Sequence, residues 1–248
     1  MSEIVTAGIL VIGDEILSGR TKDKNIGFIA EYLTNIGIDL KEVRVVADEE
    51  PEIIAALDAL RHRYTYVFTT GGIGPTHDDI TADSVAKAFG VGIDHHPEVV
   101  ARFKERWGAQ DLNEARLRMA RIPDGAELIQ SATILAPGFK IGNVIVMAGV
   151  PSVMQAMLDH AITSVRGGAV MLVETVEAGG LPEGRYGDAL REIAEGRAAV
   201  SIGSYPSFTG GQFRNQIVVR SRDAEALAEA KGAVEAMIAR LKGDVKPL

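Results

Sequence analysis

Apolar residues in the first part of the chain alternate between strand-like runs and helical spacing. Residues 4–12 form an apolar run without alternation, which is typical of a strand buried on both faces of a parallel sheet. Residues 24–36 then carry apolar side chains at helical spacing, and Asp23 can cap the start of that helix while Gly37 can close its end. The pattern therefore predicts a strand followed by a helix.

Two more strand-then-helix units follow. Residues 38–47 alternate as a strand, residues 51–60 have helical spacing, and residues 66–70 form a short buried strand that stops at a glycine pair. A further helix begins at Ile80. Three such units in succession predict a doubly wound, mostly parallel α/β sheet, in which ligands lie beyond the carboxyl ends of the strands.

The remainder of the first domain is less regular. Residues 92–126 are polar and partly helical, which indicates an insertion or lid. Residues 133–148 predict a hairpin with a turn at Gly142-Asn143, and a helix follows from Pro151 or Ser152.

The order of predicted strands and helices changes near residues 166–168, which indicates a domain boundary. The pattern that follows predicts strand, helix, strand, strand and helix, at residues 170–176, 182–194, 199–202, 215–220 and 224–242. This order describes a small α+β domain with helices on one face of a sheet. We therefore divide the chain into residues 1–167 and residues 168–248.

The composition excludes several classes of function. The chain has 248 residues, a formal net charge of −8 and no cysteine, so it cannot form disulfides, thiolate zinc sites or iron–sulfur clusters. The negative charge argues against broad binding to nucleic acid or to an anionic membrane, because phosphate groups require a basic surface. No apolar stretch approaches the length of a membrane span, and the N-terminus is unlike a signal peptide. We expect a cytoplasmic protein that forms a homo-oligomer.

A glycine-rich segment joins the third strand to the helix at Ile80. Its glycines lack Cβ atoms and allow backbone N–H groups to approach a ligand, while the start of the following helix favours an anion. Asp78, Asp79 and Thr81 follow, and carboxylates suit the hard cation that accompanies phosphate. The segment predicts a phosphate site, although one of the two aspartates could instead cap the helix.

Further acidic residues lie at the ends of the first two strands. Asp14 and Glu15 follow the first strand, and Asp48 follows the second. All three should lie on the same edge of the sheet as the glycine-rich segment. Each is also an ordinary choice for a turn or a helix start, but their convergence with the segment favours a composite site.

Several motifs, occurring in the expected order, resemble the molybdenum-cofactor-biosynthesis (molybdopterin-binding) domain superfamily. More narrowly, they resemble the N-terminal part of competence/damage-inducible CinA-type proteins. The motifs are GDEILSG, KDKN, TTGGIGPTHDDIT, APGF, AGVPS and, in the second domain, SIGSYP. The amidase domain at the C-terminus of full-length CinA proteins has no counterpart in these residues, so amidase activity is not expected.

The resemblance implies a three-layer α/β fold and relatives of two kinds. Some bind or adenylylate molybdopterin, and others hydrolyse ADP-ribose- or FAD-like pyrophosphates with a divalent cation. Together with the loop chemistry, it implies Asp79 and Asp48 as catalytic residues and Asp14, Asp78 and Asp79 as metal ligands. The implied ligand-binding residues are Gly71, Gly72, Gly74, Pro75, Thr76, Thr81, Asn25, Gly149, Pro151 and Ser152.

Three positions depart from the CinA-type pattern. Ser131 and Ile134 stand where an Asn and a Gly usually precede APGF, and Val153 stands where a Glu usually follows the Pro-Ser pair. The resemblance implies that the change at Val153 removes a side chain able to contact a metal or a ribose.

These observations favour a metal-dependent nucleotide pyrophosphatase that acts on ADP-ribose- or FAD-like diphosphates with magnesium or a similar cation. Amides of residues 71–74 would hold the diphosphate, while Asp79 with Asp48 or Asp14 would position the ion. The alternatives are molybdopterin binding or adenylyl transfer in molybdenum-cofactor biosynthesis, and a non-catalytic nucleotide-binding module. In each case the partner is a small nucleotide or pterin phosphate.

Overall fold

The structure, a computed structural model, describes residues 4–130, 134–209 and 212–243. The chain divides into two compact units, residues 1–168 and residues 169–248. Each unit buries hydrophobic clusters of its own.

The first unit contains a series of strands and helices, with short 3-10 turns at Ala109–Asp111 and Ile162–Ser164. In chain order they are β1 (Val5–Ile12), α1 (Asp14–Leu17), α2 (Asn25–Asn35), β2 (Ile38–Val46), α3 (Glu50–Arg61), β3 (Tyr66–Thr70), α4 (Thr81–Phe89), β4 (Ile93–His95), α5 (Pro97–Trp107), α6 (Glu114–Arg118), β5 (Arg121–Pro123), β6 (Glu127–Ile129), β7 (Gly138–Ile141), β8 (Val144–Met147) and α7 (Pro151–Ala161).

A six-stranded sheet runs through the first unit in the order β2-β1-β3-β8-β7-β6. Strands β1, β2, β3 and β8 are parallel, whereas β7 and β6 are antiparallel to their neighbours. Strand β1 is buried along almost its whole length, in agreement with its sequence without alternation. The predicted doubly wound, mostly parallel α/β fold is confirmed.

Helices cover both faces of this sheet. Ile9 and Leu10 are neighbours on β1, and their side chains enter different hydrophobic clusters because successive side chains of a strand point to opposite faces. One cluster includes Leu33 of α2 and Met157 of α7. The other includes Leu57 of α3. The first unit therefore has three layers.

The segment between α4 and β6 forms the insertion that its polar sequence predicts. Val99 and Phe103 of α5 pack with Ala120 in a small cluster of their own, and β4 pairs with β5 in antiparallel fashion. Arg121 of β5 forms an ion pair with Asp83 of α4. This ion pair ties the insertion to the helix that follows the glycine-rich segment.

Strands β7 and β8 form the predicted hairpin. Gly142 has φ +55° at the turn, and Nδ2 of Asn143 donates to the backbone oxygens of Arg61 at 2.8 Å and Tyr64 at 3.0 Å. The turn is thereby fastened to the end of α3. Strand β8 then pairs in parallel with β3 and ends beside the glycine-rich segment.

The second unit has the predicted β-α-β-β-α order. Its elements are β9 (Leu172–Gly179), α8 (Glu183–Glu195), β10 (Val200–Thr209), β11 (Gln212–Ser221) and α9 (Ala224–Gly243). The three strands form an antiparallel sheet in the order β10-β11-β9. Side chains from both helices, among them Tyr186 and Val234, share one cluster with Val219 of the sheet. The predicted small α+β domain is confirmed.

One strand of this unit is longer than its sequence predicts. Residues 199–202 predict a short strand, but β10 continues through Gly203 and Pro206 to residue 209. Strand β10 lies at the edge of the sheet, where a proline is tolerated because one side of the strand needs no ladder hydrogen bonds. Among the described residues, no helix has both the length and the apolar character needed to cross a membrane.

Candidate functional site

Loops from four parallel strands meet at the carboxyl edge of the sheet. The N–H of Gly13, after β1, donates to the backbone oxygen of Val46 on β2 at 3.1 Å. The N–H of Gly71, after β3, donates to the backbone oxygen of Met147 on β8 at 3.2 Å. Because the carboxyl ends of parallel strands share one edge, these contacts bring together four segments that are distant in sequence. The segments are residues 13–15, residue 48, residues 71–79 and residues 149–152.

The glycine loop, residues 71–76, depends on backbone conformations that favour glycine. Gly71 has φ +106° and Gly72 has φ +66°, values that other L-residues rarely adopt. A Cβ atom at Gly71 would overlap the backbone oxygen of Ile12, and one at Gly72 would overlap Oγ1 of Thr81. The backbone of the loop therefore runs closer to its surroundings than a side chain would permit.

Three consecutive amides of this loop have free donors. The N–H groups of Gly72, Ile73 and Gly74 make no hydrogen bond to any residue within the described ranges. Successive N–H groups in a turn with positive φ form a concave donor surface that suits an anion. The loop thus has the geometry of the phosphate site that its sequence predicts.

Thr81 stabilises the glycine loop through hydrogen bonds to its backbone. Its side chain is fully buried, its hydroxyl donates to the backbone oxygen of Gly71 at 3.0 Å, and its N–H donates to the backbone oxygen of Gly72 at 3.0 Å. The sequence places Thr81 among the ligand-binding residues, whereas in the structure its hydroxyl is used to hold the loop in shape.

Asp79 closes the loop instead of capping helix α4. Its Oδ2 accepts hydrogen bonds from the N–H of Thr76 at 2.8 Å and from the Thr76 hydroxyl at 2.6 Å. The N-cap position of α4 is Ile80, which has no side-chain cap hydrogen bond. The alternative that Asp79 caps the helix is wrong, because the nearby Thr76 offers this carboxylate two donors at once.

A group of carboxylates lies beside the loop. Oδ2 of Asp48 accepts a hydrogen bond from the backbone N–H of Asp14 at 2.9 Å. Burial raises the pKa of Asp48, and the negative charges of Asp14, Glu15 and Asp78 raise it further, against the effect of the hydrogen bond from Asp14. The folded chain therefore disfavours the charged form of Asp48, through burial and through the acidic side chains around it.

The predicted metal ligands are not assembled into one set. Asp14 lies beside Asp48, whereas Asp79 is bonded to Thr76. The nearby Thr76 hydroxyl lowers the pKa of Asp78, as do the charges of His77 and Arg118, although that hydroxyl donates its proton to Asp79. In the part of the chain that the structure describes, no group of three or more His, Asp or Glu side chains is arranged to hold a metal ion.

Asn25 joins the first and last loops of the site. The Asp23 carboxylate accepts hydrogen bonds from the N–H groups of Asn25 at 3.1 Å and Ile26 at 2.8 Å, so Asp23 caps α2 as predicted. The side chain of Asn25 is then buried, and its Nδ2 donates to the backbone oxygen of Gly149 at 2.8 Å.

A cavity of about 540 Å³ opens over the glycine loop. Gly149 and Pro151 line it, whereas Ser152 is exposed and lies outside the lining. Val153, which replaces the usual Glu, contributes an apolar side chain to the wall. The other apolar lining residues are Ile73, Pro75, Met119, Ala136, Ala148, Val150 and Met157. The cavity therefore combines an anion-binding loop with an apolar wall.

A second departure, Ile134, lies away from this cavity. Ile134 is buried in the core, and its backbone oxygen accepts a hydrogen bond from Arg102 at 2.7 Å. Ser131 lies outside the described residues.

Several residues border the site without having been predicted there, among them Met119, Arg118 and Thr70. Met119 lines the large cavity, and Arg118 lines a cleft formed by residues 72–74 and Asp79. Arg118 is half-buried and donates no hydrogen bond to a described residue. Thr70 lines a second, smaller cavity. The positions of Arg118 and Met119 depend on how the insertion docks, whereas Thr70 directly precedes the loop and could have been chosen from the sequence.

Comparison with known proteins finds a family model that matches a segment of each unit. The family described as the probable molybdopterin binding domain matches residues 8–166, and the FAD synthase middle domain matches residues 176–242. A protein of Aeropyrum pernix is 34% identical over 252 residues, which cover 95% of this chain and 93% of the relative. A CinA-like protein of Desulfovibrio desulfuricans is 30% identical over 248 residues, which cover 96% of this chain but 57% of the relative.

One solved structure is similar in both sequence and fold. The crystal structure of CinA from Thermoplasma acidophilum, a protein described as having unknown function, is 34% identical with a TM-score of 0.61. The match covers 65% of this chain and 97% of that chain. The predicted resemblance to a molybdopterin-binding, CinA-type domain is confirmed. The chain belongs to the family of the probable molybdopterin binding domain.

Proposed function

We propose that this chain binds a phosphorylated pterin of the molybdopterin type, with its phosphate on the glycine loop. One observation carries the proposal. Residues 72–74 line a cavity of about 540 Å³ whose other walls are largely apolar, and their three N–H groups have no acceptor among the described residues.

The loop provides the phosphate contacts. Backbone N–H groups already fixed in position can bind an anion without the entropy cost of ordering a flexible side chain. Thr81 and Asp79 hold the loop from two sides, so its donors keep their direction when no ligand is bound. Arg118, at the edge of the same loop, adds a positive charge.

The apolar wall suits the organic part of such a ligand. Small-molecule sites are mostly apolar with a few fixed polar groups that set orientation. Ile73, Met119 and Met157 would cover the body of a flat heterocycle while the loop holds its phosphate. The family to which residues 8–166 belong is described as a probable molybdopterin binding domain, which supports this choice of ligand.

Calorimetry tests this proposal with molybdopterin released from a molybdoenzyme and, separately, with inorganic phosphate. We expect the wild-type chain to bind both and the Gly72→Ala variant to bind neither. Gly27→Ala is the matched control, since a Cβ at Gly27 meets nothing within 4 Å. Absence of binding to both probes by the folded wild-type chain would overturn the proposal.

A second candidate function is metal-dependent hydrolysis of a nucleotide diphosphate such as ADP-ribose or FAD. The observation that favours it is the group of acidic side chains around Asp48, whose carboxylate oxygens suit a hard cation. Asp48 and Asp14 would hold a divalent cation, which would supply Lewis-acid activation of phosphorus when bound. The glycine loop would hold the diphosphate in either function.

Turnover distinguishes the two functions. Wild-type chain and the Asp48→Ala variant are incubated with ADP-ribose or FAD and with magnesium, manganese or cobalt. If the wild-type chain cleaves ADP-ribose or FAD faster than the Asp48→Ala variant does, the result supports hydrolysis. Calorimetric binding of these nucleotides without any turnover would instead show a site that binds nucleotides without cleaving them.

A further inference from the structure

A second cavity of about 220 Å³ adjoins the cavity over the glycine loop. The two share the lining residues Glu15, Thr21, Gly149 and Pro151, so they form neighbouring parts of one cleft. We call the smaller cavity the side chamber. Its lining also includes Thr70 and Asn25, with Lys22 and Lys24 exposed near its mouth.

Two residues that line the side chamber each carry a buried polar atom without a partner among the described residues. Thr70 is 1% exposed and Asn25 is 4% exposed, yet neither Oγ1 of Thr70 nor Oδ1 of Asn25 has a hydrogen bond with any described residue. Buried polar groups are nearly always paired, because leaving one unpaired costs its full desolvation energy. Two such atoms in the wall of one chamber indicate that a ligand supplies the missing partners.

The chemistry of the missing partner follows from the orientation of Asn25. Because Nδ2 of Asn25 already donates to the backbone oxygen of Gly149, the free atom is the carbonyl oxygen, which can only accept. The ligand must therefore present a donor to Asn25. The hydroxyl of Thr70 can donate to an acceptor beside it.

We propose that the side chamber binds one edge of a flat heteroaromatic ring that presents an N–H group next to a hydrogen-bond acceptor. Oδ1 of Asn25 accepts from the ring N–H, and the Thr70 hydroxyl donates to the neighbouring acceptor. Pterin and flavin rings carry such an edge, and adenine offers the same pattern through its amino group. The proposal rests on the proposed function, because it takes the ring and the loop-bound phosphate to belong to one ligand.

The chamber and the loop are close enough for one ligand to reach both. Thr70 and Gly72 are two residues apart, so their Cα atoms are separated by at most about 7 Å. The apolar cavity then covers the body of the ligand, while the side chamber recognises its polar edge.

Adjacent residues of β3 provide a matched pair of variants. Thr69 is also fully buried with an unpaired Oγ1, but it lines neither the side chamber nor the larger cavity. Thr→Val removes the hydroxyl with little change of shape. Both Thr70→Val and Thr69→Val should raise the melting temperature, because each removes an unpaired buried hydroxyl. Only Thr70→Val should weaken ring binding.

The probes are 6-hydroxymethylpterin, riboflavin and adenosine, all of which lack phosphate, and inorganic phosphate is measured separately. We expect Thr70→Val to weaken binding of at least one ring probe about tenfold, whereas Thr69→Val leaves it unchanged. Thr70→Ser, which retains the hydroxyl, should restore the affinity. The ring probe that binds most tightly identifies which ring the chamber prefers.

The outcomes separate this inference from the proposed function. If wild-type chain binds inorganic phosphate but no ring probe, or if Thr70→Val and Thr69→Val bind ring probes equally, the inference is overturned while the phosphate site stands. If a ring probe binds with the expected dependence on Thr70 but neither inorganic phosphate nor molybdopterin binds, the chamber stands and the proposed function fails.

Discussion

The backbone N–H of Asp14 donates a hydrogen bond to Oδ2 of Asp48 at 2.9 Å. This contact joins the loops after β1 and β2, the two neighbouring strands that begin the fold. It also fixes the Asp48 carboxylate in a region where burial and neighbouring carboxylates disfavour its charge.

Asp48→Asn should raise the free energy of unfolding at neutral pH. The pKa of Asp48 is raised in the folded state by burial first and then by Asp14, Glu15 and Asp78, so the ionised form destabilises the fold. The increase in the free energy of unfolding should reach its full size above the pKa of Asp48 in the folded state. It should disappear below the ordinary pKa of 3.8, where Asp48 is protonated in both the folded and the unfolded chain. Urea denaturation at several pH values measures it.

The exposed neighbour Glu49 provides the control for that experiment. Glu49→Gln makes the same change in net charge one residue away, and it should alter stability less. A lower stability of Asp48→Asn at pH 7 would show that the charged hydrogen bond to Asp14 outweighs the cost of burial.

Gly72→Ala should destabilise the fold and abolish phosphate binding. The left-handed backbone alone costs a residue with a Cβ about 1–2 kcal/mol, and the Cβ would also overlap Oγ1 of Thr81. Gly27→Ala, within helix α2, should instead be neutral or stabilising by up to about 1 kcal/mol. Thermal denaturation with and without phosphate compares them, and equal ligand-induced stabilisation of both variants would contradict the assignment of the loop.

Arg118→Met should weaken binding of phosphorylated ligands by about tenfold to a hundredfold, which corresponds to one hydrogen bond to a charged group. The reason is that Arg118 lines the cleft at residues 72–74 and donates no hydrogen bond to a described residue. Binding of a ligand without phosphate should not change.

Lys104→Met is the matched control for Arg118→Met. It removes the same charge from the insertion at an exposed position of α5. If both variants weaken phosphate binding equally, the effect of Arg118 is a general consequence of net charge and not of a contact.

A fragment of residues 1–168 should fold alone and bind ligand as the full chain does. The clusters on the two faces of the sheet are formed within this unit, and the site residues also lie within it. Circular dichroism during urea denaturation should show one cooperative transition. A fragment that unfolds without cooperativity, or that binds the ligand much more weakly, would show that residues 169–248 are required.

The parts of the fold that sequence predicts well are those governed by local periodicity. Strand β1 was predictable from an apolar run, and the capping of α2 was predictable from Asp23, because both depend on neighbouring residues. The loop at residues 71–76 was predictable for the same reason. The role of Asp79 was harder to predict from the sequence. Thr76 and the first amides of α4 lie at similar distances from Asp79 along the chain, and both can donate hydrogen bonds to its carboxylate.

Contacts between segments that are distant in sequence could not be predicted from the pattern of apolar and polar residues. The docking of the insertion, which brings Arg118 to the glycine loop, depends on packing and on the Asp83–Arg121 ion pair and has no periodic signal. The sequence alone shows that Val153 departs from the family pattern. Only the structure shows that its apolar side chain forms part of the cavity wall.

The hydrogen bond from Asn25 to Gly149 joins residues 124 positions apart. During synthesis, α2 and its capping residue leave the ribosome long before Gly149 does. The bond cannot form until both are available, so the wall between the two cavities is among the last parts of the site to be completed. A nascent chain that stops before Gly149 therefore lacks the contact through which Asn25 joins the first and last loops of the site.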